Sequence, residues 1–243
     1  VPPHEFNIDF PHLMLRYRTF QKKKGTLAFI PQQLAHIDRN AVIFRFFSPL
    51  FNWATDIKRK LLRSLIETVV GIDKRAVLPK FTRQTFTDKV NKKLKLIKNI
   101  SSENRKVVIF STCYVNNNND SIGMAAINVL KKNNVHIKVE YPECCGMPQL
   151  EQADLESVEQ KSKVISSFFK KYIDAGYTLV TLTASCGLML KSEWPLINPN
   201  DENVKTLAAN VMDINEYIVD ISKKEGLADG LQPINGDITF HHA

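Results

Sequence analysis

The chain has 243 residues, 44% of them apolar and 24% charged, which is ordinary for a globular fold and enough for one large or two small cores. Its net charge of +8 is unevenly spread: residues 1–106 hold 22 Lys+Arg against 8 Asp+Glu, and residues 107–243 hold 11 against 17, so the two halves are expected to meet different partners. No run approaches the ~20 apolar residues of a membrane span, no secretory leader is visible, and no zinc-finger or RNA-binding signature accompanies the basic half, so nucleic acid ranks last among its partners.

The first hundred residues read as helical and irregular. Val1-Pro2-Pro3 is an extended entry, and 10–21 and 31–43 are candidate helices. From Phe44 to Arg63, aromatic residues interleave with the basic run Lys58-Arg59-Lys60, and Pro49 should break or kink a helix there. This stretch is expected to pack one domain on another, with a monotopic membrane-surface helix as the second reading. Ile57, Leu61, Leu65 and Val69 then step by four along one helix face, with Gly71 as the stop. A short basic helix over 89–98 and a polar linker over 101–106 follow.

From Val107 the pattern changes. Val107-Val108-Ile109-Phe110 is a short β-branched run suited to a strand buried on both faces. Four asparagines at 116–119 and Asp120 supply loop and cap chemistry before a helix over 122–130. Strand 136–141, a connection over 148–154, a long helix ending at Gly176, strand 178–182, a helix over 203–224 and a fourth strand beginning at Ile238 complete the order. The fold class is therefore α/β: a parallel sheet in β-α-β-α-β-α-β order, preceded by a mainly helical region. The expected division is residues 1–106 and residues 107–243.

All four cysteines fall in the second part. Cys113 follows the first strand, Cys144 and Cys145 follow the second, and Cys186 follows the third. Ligands of an open parallel sheet gather at the carboxyl ends of its strands, so three separate segments bring four thiols to one edge, as a shared soft-metal centre requires. A lone cysteine is more often a small buried hydrophobe; the adjacent pair is harder to read that way. Gly146 and Gly187 each follow a cysteine, where glycine permits close approach or positive φ. Four thiolates also satisfy tetrahedral zinc. A thiol–disulfide enzyme is disfavoured because Cys144-Cys145 lacks the Cys-X-X-Cys spacing.

The pattern Cys113, Cys144-Cys145-Gly146 and Ser185-Cys186-Gly187, with "STCYVNNNNDSIGMAAINVL" and "YPECCGMPQLEQADLE" around the first two, resembles the cysteine-rich CCG domain. That domain occurs in iron–sulfur oxidoreductases such as heterodisulfide reductases and anaerobic glycerol-3-phosphate dehydrogenases. The opening sequence is similar to the segment after a ferredoxin-type domain, and "ITFHHA" to the strand before a second CCG half, so both ends read as cuts through a longer protein. The resemblance implies an electron-transfer subunit with Cys113, Cys144, Cys145 and Cys186 as ligands of a 4Fe–4S iron–sulfur cluster. It implies other redox subunits or a ferredoxin-type domain as partners, a flavoprotein dehydrogenase among them. Separately, with nothing to indicate an oxidising compartment, the cysteine usage points to a cytoplasmic location, and the aromatic–basic stretch allows a peripheral contact with the inner face of the membrane. Met189 stands where the heterodisulfide reductase form has a further cysteine, a departure that bears on the cluster type. His241 and His242 fall at the same expected edge and are read as shaping the boundary between two halves rather than as ligands. The alternative of a different class is a zinc-stabilised, non-enzymatic docking module.

Overall fold

The structure, a computed structural model, describes residues 8–96 and 105–230, together with 232, 235–237 and 239. Six helices come first: α1 (Phe10–Lys23), α2 (Phe29–Leu34), α3 (Ile37–Phe46), α4 (Ser48–Ala54), α5 (Lys60–Val70) and α6 (Phe86–Leu96). The alternating unit then runs β1 (Lys106–Phe110), α7 (Cys113–Asn117), α8 (Asp120–Lys132), β2 (His136–Glu140), α9 (Met147–Glu151), α10 (Leu155–Asp174), β3 (Thr178–Thr181) and α11 (Ala184–Leu188). It continues through a π-helical turn (Met189–Glu193) to α12 (Trp194–Ile197), α13 (Glu202–Asn210), β4 (Val211–Asp213) and α14 (Ile214–Lys224). The four strands form one parallel sheet in the order β2-β1-β3-β4. No helix among the described residues is long and apolar enough to cross a membrane.

β1 sits centrally and buries Val107 through Phe110 completely. Its side chains alternate between two cores. Val108 and Phe110 face the cluster under α10, with Ile165, Phe169, Trp194 and Leu207; Val107 and Ile109 face the cluster with Ile127, Leu130 and Tyr217. The second cluster also contains Phe86 and Val90 of α6, so the last N-terminal helix contributes to the core of the sheet. Phe86 rests on Gly123 of α8 so closely that a Cβ there would stand 2.3 Å from its ring.

Several expectations change. The fourth strand is β4, inside the span read as one helix over 203–224; the residues assigned to it, Ile238 and Phe240, lie outside the described residues, as do His241 and His242. The helix read over 31–43 is two helices, broken at Ala35 and His36. Pro49 stands in the first turn of α4, where its missing N–H costs nothing. Gly71 does cap α5 in the left-handed conformation, φ 76.

In the aromatic–basic stretch, Phe44 and Phe51 stack at 4.1 Å and both pack against Phe81. The rest of it faces outward: Phe46, Phe47, Leu50, Trp53, Ile57 and Leu61 are exposed, Leu61 to 89%. Arg63, grouped by sequence with the surface cations, is instead buried and donates to the carbonyls of Asp73, Lys74 and Ala76. The turn at Gly71 aims those carbonyls inward, and the guanidinium fork matches several acceptors at once.

α1 and α3 lie against the alternating unit. His12 bonds Glu193 at 3.0 Å, Arg18 donates to the Glu151 carbonyl, and Lys22 pairs with Asp154 at 2.7 Å. Leu15 and Ile37 pack on the first core.

Candidate functional site

Because β1, β2 and β3 are parallel, their carboxyl ends share one edge of the sheet. The chain leaves β1 for β2 on one side and later enters β3 on the other, so the crevice above β1 is the topological switch point where α/β folds bind ligands. Cys113 opens α7, Cys144 and Cys145 lie between β2 and α9, and Cys186 lies in α11.

The loops holding them are constrained. Thr112, immediately before Cys113, has φ 52, a region that β-branched residues rarely enter. Its hydroxyl stands 3.2 Å from that of Thr183, tying the β1 and β3 loops together. Gly146 has φ 89, which glycine adopts without strain. Gly187 serves the other expected purpose, close approach: a Cβ there would be 3.0 Å from Thr181 Oγ1.

The four thiols form a contiguous group. The Cys145 thiol donates to the Cys186 sulfur at 3.4 Å, and Cys113 and Cys145 both lie close enough to Cys144 to shift its acidity. Cys144, Cys145 and Cys186 are buried and Cys113 is partly so. These contacts divide their acidities. The Cys113 thiol, with Cys145 and the Gly146 amide, holds the Cys144 pKa well below the thiol range. The neighbouring Cys144 sulfur pushes Cys113 and Cys145 up, and burial adds to this. Cys144 therefore becomes a thiolate, the form that binds metal, ahead of Cys113 and Cys145.

The donor set has the number and softness that an iron–sulfur or zinc centre needs. Among the described residues, no three His, Cys, Asp or Glu side chains already surround a common point. Met189 is fully buried in the core that the cysteines border.

Asp38 of α3 reaches this site from the N-terminal region, and nothing in the sequence singled it out. Its carboxylate accepts from the Cys144 amide at 3.0 Å, the Tyr141 hydroxyl at 2.6 Å and Lys161 at 3.1 Å. Burial raises the Tyr141 pKa well above its ordinary value, and the Asp38 charge reinforces this. Burial also opposes the Lys161 charge, but the Glu143 and Asp38 carboxylates outweigh it and raise that pKa. Trp194, fully buried, donates its indole N–H to the Cys145 carbonyl at 3.1 Å. Both contacts are long-range, so no local motif announces them. The acid in the first turn of a helix and the tryptophan just past the cysteine motif were the only available signals.

Residues 107–191 match the model of the CCG cysteine-rich domain. Over 143 residues the chain is 30% identical to Lactate utilization protein A of Geobacillus kaustophilus, covering 56% of each sequence. Over 179 residues it is 22% identical to a subunit of the anaerobic glycerol-3-phosphate dehydrogenase of Escherichia coli, covering 71% of this chain and 43% of that one. Over 137 residues it is 25% identical to a subunit of the fumarate reductase (CoM/CoB) of Methanothermobacter marburgensis, covering 56% and 25%. The chain thus spans about half the length of the first of these relatives and less of the others. No solved structure matches it. With relatives that include oxidoreductase subunits, and with its paired cysteines at the sheet edge, the segment 107–191 is a cysteine-rich domain of the CCG family.

Proposed function

We propose that Cys113, Cys144, Cys145 and Cys186 bind an iron–sulfur cluster of the 4Fe–4S type, and that the chain is an electron-transfer subunit of an oxidoreductase. The observation that carries this reading is the convergence of four thiols from three segments on one sheet edge. When bound, the cluster supplies one-electron redox chemistry. The chain's own residues do the rest: Cys144 offers a ready thiolate, Asp38 and Trp194 fix the loop that carries the pair, and burial keeps water from the sulfurs. Electrons would arrive from ferredoxin-type clusters on a partner subunit or on another part of the same protein, with a flavoprotein dehydrogenase as the upstream enzyme.

The exposed apolar face of α4 and α5, flanked by Lys58, Arg59 and Lys60, is proposed as the docking surface for such a redox partner, at the cytoplasmic side of the membrane. Arg59 lies over the Trp53 ring at 4.9 Å, so cation and aromatic are presented together. An anionic lipid surface is the second occupant that this composition fits.

A specific observation favours zinc as the second reading of the thiol site. The 3.4 Å between Cys145 and Cys186 sulfurs is near the ~3.8 Å tetrahedral edge that follows from a Zn–S bond of about 2.3 Å. Anaerobic purification with iron, sulfide and zinc analysis and electron paramagnetic resonance decides between them. A brown protein containing iron and acid-labile sulfide supports the cluster; a colourless protein with stoichiometric zinc refutes it in favour of the docking module.

A further inference from the structure

Asp38 stands on α3, outside the segment 107–191 that matches the CCG domain, yet its carboxylate is spent on the cysteine pair. It sits in the first turn of α3, whose N-terminus no side chain caps. Both of its oxygens are turned to the alternating unit instead. The Cys144 amide reaches them at 3.2 and 3.0 Å, the Tyr141 hydroxyl donates at 2.6 Å and the Lys161 ammonium at 3.1 Å. The carboxylate is near enough for its charge to act on the Cys113 and Cys144 thiols.

Lys161 of α10 joins Asp38 to Glu143, the residue before the pair. Its side chain also lies along Gly146, the residue after the pair, where a Cβ would be 3.5 Å from Lys161 Cδ. Two carboxylates and one ammonium thus flank Cys144-Cys145, leaving one net negative charge. The Lys161 side chain is only 14% exposed, and those of Asp38 and Glu143 34% and 27%, so salt and water screen the three incompletely. A four-thiolate iron–sulfur centre is itself anionic, and the charge around it is one of the levers on its potential. Adding an electron beside further negative charge is disfavoured.

We propose that Asp38, Glu143 and Lys161 set the reduction potential of the cysteine-bound centre: the two carboxylates hold it low and the ammonium moderates them. This inference rests on the iron–sulfur reading above and adds a role to residues that bind no metal. The N-terminal region, through Asp38, thereby tunes a centre whose ligands all come from the other part of the chain. A centre held low gives up its electron readily to the next carrier.

The test is a redox titration of the full chain followed by electron paramagnetic resonance, at one pH and ionic strength. Iron and acid-labile sulfide are measured first on every protein, and circular dichroism confirms folding. Asp38→Asn and Glu143→Gln each remove a negative charge and should raise the midpoint potential; Lys161→Gln removes the positive charge and should lower it. A unit charge at close range and partial burial is worth on the order of tenfold in the reduction equilibrium, about 59 mV for a one-electron couple. Lys163→Gln, on the same helix but paired with Glu159 at the surface, should leave the potential unchanged. Asp38→Asn and Lys161→Gln break the same ion pair, so a merely structural role would move both alike, whereas charge moves them in opposite directions. If Asp38→Asn does not fold, Glu143→Gln and Lys161→Gln still carry the opposite signs. A wild-type chain without iron and sulfide overturns the cluster reading and this proposal with it. Iron-loaded variants whose potentials shift in one direction, or no further than Lys163→Gln, overturn this proposal alone.

Discussion

Replacing Asp38 with alanine tests whether the N-terminal region holds the cysteine loop. The substitution removes one acceptor from three donors: the Cys144 amide, the Tyr141 hydroxyl and Lys161. Lys161 keeps Glu143, so its loss is partly covered. The Cys144 amide and the Tyr141 hydroxyl lose a charged partner, each worth about 1.5–3 kcal/mol where water cannot replace it. Asp38 is about a third exposed, with side-chain exposure of 34%, so water recovers part of this. A net cost of roughly 2–3 kcal/mol follows, and at about 2–4 °C per kcal/mol for a chain of this size the melting temperature should fall by roughly 4–12 °C. Asp38→Asn keeps one acceptor and should lose less than half as much. Thermal unfolding by circular dichroism gives the stability, and the rate at which N-ethylmaleimide modifies the metal-free protein gives the loop. Alkylation of Cys144 and Cys145 should speed up in the alanine variant because the loop opens more often. If Asp38→Ala melts within a degree of wild type and its thiols react no faster, the carboxylate is not holding the loop and the reasoning fails.

Cys113→Ala, Cys144→Ala, Cys145→Ala and Cys186→Ala, prepared anaerobically, should each lose iron or change the resonance signal, whereas Met189→Leu should do neither; three cysteine variants with full iron and an unchanged signal would falsify the ligand assignment. Gly123→Ala drives a methyl into the buried Phe86 ring and should cost about 1–3 kcal/mol in urea unfolding, while Gly25→Ala, with open space around it but φ 69, measures backbone strain without that clash. His12 is held between Glu193 and Asp9, whose hydrogen bonds raise its pKa. Its contribution is therefore full below the ordinary histidine value of about 6.5 and is lost as pH rises through the raised value, so a pH series should show that loss in wild type and not in His12→Gln. Charge reversal at Lys58, Arg59 and Lys60 should weaken binding to an acidic redox partner or to anionic vesicles, most at low salt; Arg63 is excluded because it is buried, and affinity independent of both charge and salt counts against the docking surface.

The first three strands, their order and the shared edge of the cysteines were legible because each rests on a local signal: a β-branched run, a flanking glycine, a thiol at fixed distance beyond it. β4 was not legible, since Val211-Met212-Asp213 continues the helical spacing of its neighbours. The one cue to the interruption was the capping box Asp213…Glu216 that starts α14. The stripe Ile57, Leu61, Leu65 and Val69 shows a subtler failure. Periodicity identified the face of α5 for Leu61, Leu65 and Val69, with Ile57 in the turn before it, but it carries no information about what covers that face, and here the described residues leave all four exposed. Asp38 and Trp194 act across 106 and 49 positions of chain, a range over which no spacing rule operates.

Phe86 has a consequence for how this protein can be divided or inherited. Its ring, with Val90, fills space beneath β1 and β2 that no residue after Val107 occupies. An α/β unit started at Val107 would face water with that cleft, and a helical region ended at Lys106 would carry an exposed benzyl group with nothing to seat it. The two stretches differ in charge and in composition, yet they are joined like a key and its lock. A recombination that carried α6 along with the sheet would keep this contact intact, whereas one that separated them would break it.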